Sequence, residues 1–215
     1  MQNNIQNLII IGAGDFAKKV IRLAQSTKRF NILGYTNPEP KGILFGVSYL
    51  GTDNILAELI KMHPGCGAVL GFAGNMKLRR YREQLIVDLK SLGYIFPTVV
   101  ASDAFIEENV ELSEGVIVFN RAIIDFNTKI GPFSVVNLTA LLGHDIIVGE
   151  NSVISPMGMI GGGTKIGNNC FIGMNATINP YLTIGNQVII GAASMVVKDC
   201  LEEGIYAGNP IRKVK

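Results

Sequence analysis

Residues 130–166 read IGPFSVVNLTALLGHDIIVGENSVISPMGMIGGGTKI, with an aliphatic side chain at every sixth place: Ile130, Val136, Leu142, Val148, Ile154, Ile160 and Ile166. Continuing the step backwards gives Ile124, Val118, Leu112 and Ile106, and forwards Ile172, Ile178, Ile184, Ile190 and Val196. The phase never slips. Four places after each aliphatic the residue is mostly small or β-branched, as at Ala122, Thr128, Ser134, Ala140, Ser152, Thr164, Cys170 and Ala176. A sheet sandwich turns at irregular intervals, whereas a fixed period marks stacked repeats. A second period of 18 residues runs through Ile130-Gly131, Val148-Gly149, Ile166-Gly167 and Ile184-Gly185, each opening a turn rich in Gly and Asn. These residues tolerate φ > 0, which a sharp corner needs. Three six-residue rungs per coil close a triangular prism, an all-β, left-handed parallel β-helix. Its short, nearly flat strands escape the right-handed crossover rule, which derives from twisted ones. At roughly 4.8 Å between strands, five coils make a rod on the order of 24 Å long. Its open ends call for caps or oligomerisation.

The first hundred residues follow another rule. Leu8–Ile11 is a short apolar strand, followed by Gly12-Ala13-Gly14 and a helical pattern over Phe16, Val20, Leu23 and Ala24. Asn31–Tyr35 and Ala68–Phe72 read as further strands, and Asn54–Met62 and Met76–Leu92 as helices, the last one basic. Alternation of this kind predicts an α/β, Rossmann-like domain on a small parallel sheet. The expected division is residues 1–100 and 101–215, with Pro97 punctuating the link.

Composition narrows the function. A net charge of +2 leaves no nucleic-acid footprint. No apolar run approaches the roughly 18–20 residues of a membrane span, and the amino terminus lacks a cationic leader before its apolar run. Three cysteines without a CxxC pair and only two histidines point to reduced cytoplasmic thiols and no metal site.

His144 is the titratable residue that stands out. It occupies a surface place in its hexad, Asp145 follows it, and Gly162 lies 18 residues on, one coil away. An imidazole can take a proton from an attacking amine or hydroxyl, a carboxylate can fix its tautomer, and a bare backbone N–H can hold an oxyanion. Those parts suit acyl transfer from a thioester. Gly12-Ala13-Gly14 between a strand and a helix suits a pyrophosphate. The acidic residue that would mark a nicotinamide about 20 residues on is replaced by Thr36-Asn37. The tail Tyr206–Lys213 carries a Gly208-Asn209-Pro210 turn beside basic residues, suited to the adenine and 3′-phosphate of coenzyme A. His63 reads as a helix cap or solvated residue, and Cys170 as core.

The opening IIIGAGDFAKKV, the link YIFPTVVAS, the core NLTALLGHDIIVGENSVISP, the stretch GTKIGNNCFIGMNATI and the closing AGNPIRKV resemble the hexapeptide-repeat sugar acyltransferases. These include the bacterial nucleotide-sugar 4-amino N-acetyltransferases and the sialic acid O-acetyltransferases. The resemblance implies that His144 is the general base, with Asp145 and Asn137 beside it. It implies that Gly162 contacts the acetyl carbonyl, with Ala192, Gly208 and Pro210 on the coenzyme A side. It implies nucleotide-sugar contacts at Gly12, Ala13, Gly14, Asn37 and Asn75. The reaction implied is acetyl transfer from acetyl-CoA to the amine of a nucleotide-linked amino-deoxy sugar, in a cytoplasmic homotrimer with the active site between prisms. O-acetylation of a sialic-acid-like sugar and a non-catalytic nucleotide-sugar scaffold are the alternatives. Asp15-Phe16 and Thr36-Asn37 depart from the family's loop and its uracil-side acidic pair, which leaves the base open among uracil, guanine and thymine.

Overall fold

The computed structural model describes residues 5–73 and 79–215. The chain divides into two compact units, Met1–Pro97 and Thr98–Lys215.

The amino-terminal unit is a parallel sheet of four strands, β1 (Gln6–Ile11), β2 (Phe30–Thr36), β3 (Tyr49–Gly51) and β4 (Gly67–Leu70), in the order β3-β2-β1-β4. Every pairing is parallel. As the central strand, β1 is covered on both faces, so its run Leu8–Ile11 is apolar without alternation and fully buried. Helix α1 (Asp15–Thr27) lays Ala17, Val20, Ile21, Leu23 and Ala24 on the sheet at helical spacing and stops at Lys28 in the left-handed region. Helix α2 (Leu56–Met62) follows a single 3₁₀ turn (Asp53–Ile55), and His63 is its C-cap. Helix α3 (Arg79–Ser91) occupies the described part of the expected 76–92 helix. Among the described residues each expected strand and helix has a counterpart, with the 54–62 helix beginning as the 3₁₀ turn and the 68–72 strand ending at Leu70. Strand β3 was not anticipated, because three residues are too short to show a period.

The second unit is a three-sided parallel β-helix. Residues 18 apart pair in register: Val135 with Val153, Leu141 with Met159, Ile147 with Lys165. The strands form sheets of five, six and eight members. The sixth-place aliphatics from Val118 to Val196 are buried in one continuous core, while Ile106 and Leu112 are partly exposed at the amino-terminal end. Thr128, Ser134 and Ser152, also interior, donate their hydroxyls to the carbonyls of Gly143, Gly149 and Gly167, so the small places are hydrogen-bonded as well as filled.

The corners correct one expectation. Gly131, Gly149, Gly167 and Gly185 are absent from the φ > 0 positions, which fall two residues later at Phe133, Asn151, Asn169 and Gln187. The glycines are there for close approach instead. A Cβ on Gly131 or Gly149 would come within 2.6–2.9 Å of the next coil's backbone. The left-handed residues are held from the coil below: Phe133 N–H donates to Glu114 O at 3.0 Å and Asp145 N–H to Phe126 O at 3.0 Å. At the far end the tail folds back. Gly204–Ala207 pairs with Val188–Ile190 and with Arg212–Lys213, and Tyr206 and Ile211 close the core.

Candidate functional site

Two constellations stand out, one in each unit. In the β-helix, the corner after Leu141–Leu142 carries His144, partly exposed, and Asp145, exposed. Asp145 has φ +57°, and this turns its carboxylate back on its neighbour: Oδ2 lies 2.8 Å from His144 Nδ1. An ionised carboxylate only accepts, so Nδ1 carries the proton there, and in a neutral ring Nε2 is the acceptor. Asn127, from the coil below, donates to the other oxygen at 3.1 Å. The His144 and Asn127 hydrogen bonds hold the Asp145 carboxyl below the ordinary carboxylate range.

The imidazole is layered between coils. Below it the Phe126 ring stacks at 5.4 Å between centroids and 12° between planes. Above it lies Gly162, where a Cβ would stand 2.6 Å from Nε2, 2.8 Å from Cε1 and 2.9 Å from Cδ2. Near-equal distances to three ring atoms put that point over the ring face and not in its plane. Any side chain at 162 would displace the imidazole. The neighbours in Gly161-Gly162-Gly163 answer to other constraints: a Cβ at 161 would meet Pro180, and Gly163 has φ +70° under the Tyr181 ring. Gly163 N–H also donates to His144 O at 2.8 Å, fixing the histidine's backbone from above. Among the described residues the Gly162 N–H makes no hydrogen bond, so it remains available as a donor.

Asn137 sits at the preceding corner, buried, with Oδ1 accepting from Leu138 N–H at 2.9 Å. Gly208, in the carboxy-terminal tail, is joined to the segment just after Ala192. Gly208 N–H donates to Ser194 Oγ and its carbonyl accepts from Met195 N–H, both at 3.1 Å. Pro210 follows in the same exposed turn. Phe126 and Asn127 were missed by the sequence reading. Both stand 18 residues before His144 and Asp145, so the register that found Gly162 could have found them.

In the amino-terminal unit a pocket of about 270 Å³ opens at the carboxyl ends of β1, β2 and β4. Gly12, Ala13 and Gly14 line it from one side and Thr36, Asn37 and Pro38 from another, so the sequence-predicted glycine loop and Asn37 share one site. Gly12 has φ +102° and its N–H donates to Thr36 O at 2.7 Å, tying the loop to β2. Gly14 begins α1 with open space where a Cβ would be. Asp15 is 96% exposed, pairs with Lys18 at 3.0 Å and does not line the pocket. Phe72 and Tyr81 form an aromatic wall, stacked at 5.9 Å. Asp53 completes the lining; nothing in the sequence pattern marked it. Asn75 lies outside the described residues. Among the described residues no group of three His, Cys, Asp or Glu could hold a metal ion, and no helix is long and apolar enough to cross a membrane.

Residues 7–85 match the family model of the PglD N-terminal domain, and residues 163–198 match that of the bacterial transferase hexapeptide (six repeats). No curated protein matches the chain by sequence comparison. Among solved structures, a histidine-to-alanine mutant of GDP-perosamine N-acetyltransferase from Caulobacter crescentus, in complex with CoA and GDP-perosamine, is 26% identical with a TM-score of 0.91 over 98% of each chain. The acetyltransferase domain of PglB from Neisseria gonorrhoeae FA1090, in complex with acetyl coenzyme A, is 26% identical with a TM-score of 0.89, over 97% of this chain and 99% of that one. WeeI from Acinetobacter baumannii AYE shares the fold at 22% identity and a TM-score of 0.78, over 97% and 100%. With a PglD-type domain ahead of a hexapeptide prism, and likeness to acetyltransferases along nearly its whole length, the chain is an acyltransferase built on the left-handed β-helix fold and similar to the hexapeptide-repeat sugar acyltransferases.

Proposed function

We propose that the chain transfers the acetyl group of acetyl-CoA to the amine of a nucleotide-linked amino-deoxy sugar, directly and with His144 as general base. The observation that carries this reading is the geometry of the imidazole: Nδ1 faces the Asp145 carboxylate at 2.8 Å, which leaves Nε2 beside a bare glycine. Nε2 takes a proton from the amine as its nitrogen bonds to the thioester carbonyl. Asp145 steadies the imidazolium that forms. The Gly162 N–H stabilises the oxygen as it gains charge. When the tetrahedral centre collapses, the C–S bond breaks and the imidazolium returns the proton to the departing thiolate. The products are an amide and free coenzyme A, with no acyl-enzyme. Asn137 supports the site from the preceding corner, and Ala192, Gly208 and Pro210 form the coenzyme A end. The crystal complexes of similar enzymes with coenzyme A, acetyl coenzyme A and GDP-perosamine support the choice of co-substrate and acceptor class.

In the amino-terminal pocket, Gly12, Ala13, Gly14 and Asn37 hold the nucleotide, the diphosphate lying at the start of α1, where backbone N–H groups and the helix dipole favour an anion. A homotrimer fits the column Phe105, Ile123, Leu141 and Met159, apolar residues each 40–56% exposed down one face of the prism. The three cysteines, free and buried, suit a reducing cytoplasm.

The direct test is a thiol-release assay of acetyl-CoA against UDP-, GDP- and dTDP-linked amino sugars and their hydroxyl counterparts. Release of coenzyme A with at least one amino sugar, matched by one acetamide per thiol, is expected. Release only with hydroxyl acceptors, or none with any sugar, contradicts the proposal.

A further inference from the structure

In an α/β sheet of this order, ligands sit at the carboxyl ends of the strands, and an acidic side chain at the end of the second strand takes the ribose hydroxyl. This chain has Thr36 there, fully buried. Its hydroxyl donates to Asp53 Oδ1 at 2.6 Å. Tyr81, arriving from α3, donates its hydroxyl to Asp53 Oδ2, also at 2.6 Å. Asp53 is 17 residues downstream, in the 3₁₀ turn after β3, yet its carboxylate is brought to the end of β2 and faces the pocket there. The missing acid is supplied through space.

Both contacts have the short length of hydroxyl-to-carboxylate hydrogen bonds and fix the carboxylate from both sides. Each carboxylate oxygen has about two lone-pair sites. One on each oxygen is taken, so one on each remains, a pair suited to two neighbouring donors on a ligand. Burial and Asp53 together push the Tyr81 phenol well above its ordinary range, so it stays a donor. The vicinal hydroxyls of a ribose present such a donor pair. They also stand near the phosphates in a nucleotide, as Asp53 lines the same pocket as the phosphate-suited loop Gly12–Gly14.

We infer that Asp53, positioned by Thr36 and Tyr81, recognises the ribose 2′,3′-diol, so that the pocket selects ribonucleoside over 2′-deoxyribonucleoside diphosphates. This rests on the reading of the pocket as the nucleotide site and deepens it: dTDP-linked sugars become poor acceptors.

Isothermal titration of the full chain with GDP, 2′-dGDP, UDP, 2′-dUDP and IDP tests it. A lost hydrogen bond to a charged group predicts that each ribonucleotide binds about ten- to a hundredfold tighter than its deoxy partner. In Asp53→Asn the ratio should fall to within about twofold, with deoxynucleotide affinity little changed. Tyr81→Phe, at a half-exposed position where the fold has little to lose, should shrink the ratio part of the way. Equal ribo and deoxy affinities in the wild type, or a ratio that survives both substitutions, overturns the inference. So does an Asp53 dependence confined to GDP against IDP, which would assign the carboxylate to the guanine base. Absence of binding by every nucleotide at millimolar concentration overturns the nucleotide reading itself, and this inference with it.

Discussion

Gly162→Ala puts the layered histidine to a sharp test. The new Cβ would stand 2.6 Å from His144 Nε2, against an ordinary contact that begins near 3.4 Å, so something must give by roughly 0.8 Å. The backbone at 162 is held by its carbonyl, which accepts from Tyr181 N–H at 2.9 Å. Below the ring Phe126 blocks retreat, and the remaining freedom is outwards, since the His144 side chain is 40% exposed. Swinging out lengthens the Nδ1–Asp145 hydrogen bond and carries Nε2 off its line. A misplacement approaching 1 Å costs on the order of 10² in rate. Gly162 has no positive φ, so alanine adds no backbone strain and removes unfolded-state freedom, worth about 0.4–1 kcal/mol. The expected outcome is a split: kcat for thiol release falls about a hundredfold while Tm holds or rises slightly. A kcat within about threefold of wild type, with the protein folded, would refute the layered geometry.

Further outcomes follow from neighbouring contacts. Phe126→Leu removes the stacked ring, and at about 0.5–1.5 kcal/mol for such a contact kcat should fall roughly two- to tenfold, with Phe126→Trp restoring most of it; equal activity in Leu and Trp variants would show that the ring merely fills space. Asn127→Ala deletes one of the two hydrogen bonds that lower the Asp145 pKa, so a carbon-13 NMR titration should find that pKa raised. Because that pKa is depressed in the folded state, its contribution to stability is present above the ordinary carboxylate value of about 3.9 and is lost as pH falls through the lowered one; an unchanged titration in the variant would mean Asn127 does not hold the carboxylate. Gly149→Ala drives a Cβ to within 2.6 Å of Gly167 C in the next coil and should destabilise by about 1–3 kcal/mol in urea denaturation; no loss would mean the coils can part freely.

Much of this architecture is legible in the sequence because a stacked repeat is local physics copied many times. Each sixth-place aliphatic, such as Ile154 or Ile172, is buried for the same reason as its neighbour one rung away. The same register set Gly162 over His144. It misread the reason for Gly131 and Gly149, since a glycine needed for φ > 0 and one needed for close approach look alike in one dimension. The amino-terminal unit is less transparent. Strand β1 announces itself by a run of buried aliphatics, but β3 is three residues long and carries no pattern. Asp53 could not be found at all by spacing. Its role depends on a contact with Thr36 across 17 residues and another with Tyr81 across 28, and neither distance is a period of anything.

The measurement closest to the central claim is kcat of His144→Ala for acetyl transfer to the best acceptor, with circular dichroism and mass by light scattering as checks on the fold. Loss of the general base predicts a fall on the order of 10²–10⁴ with fold and assembly intact. Turnover near that of the wild type in a folded His144→Ala protein would contradict the account.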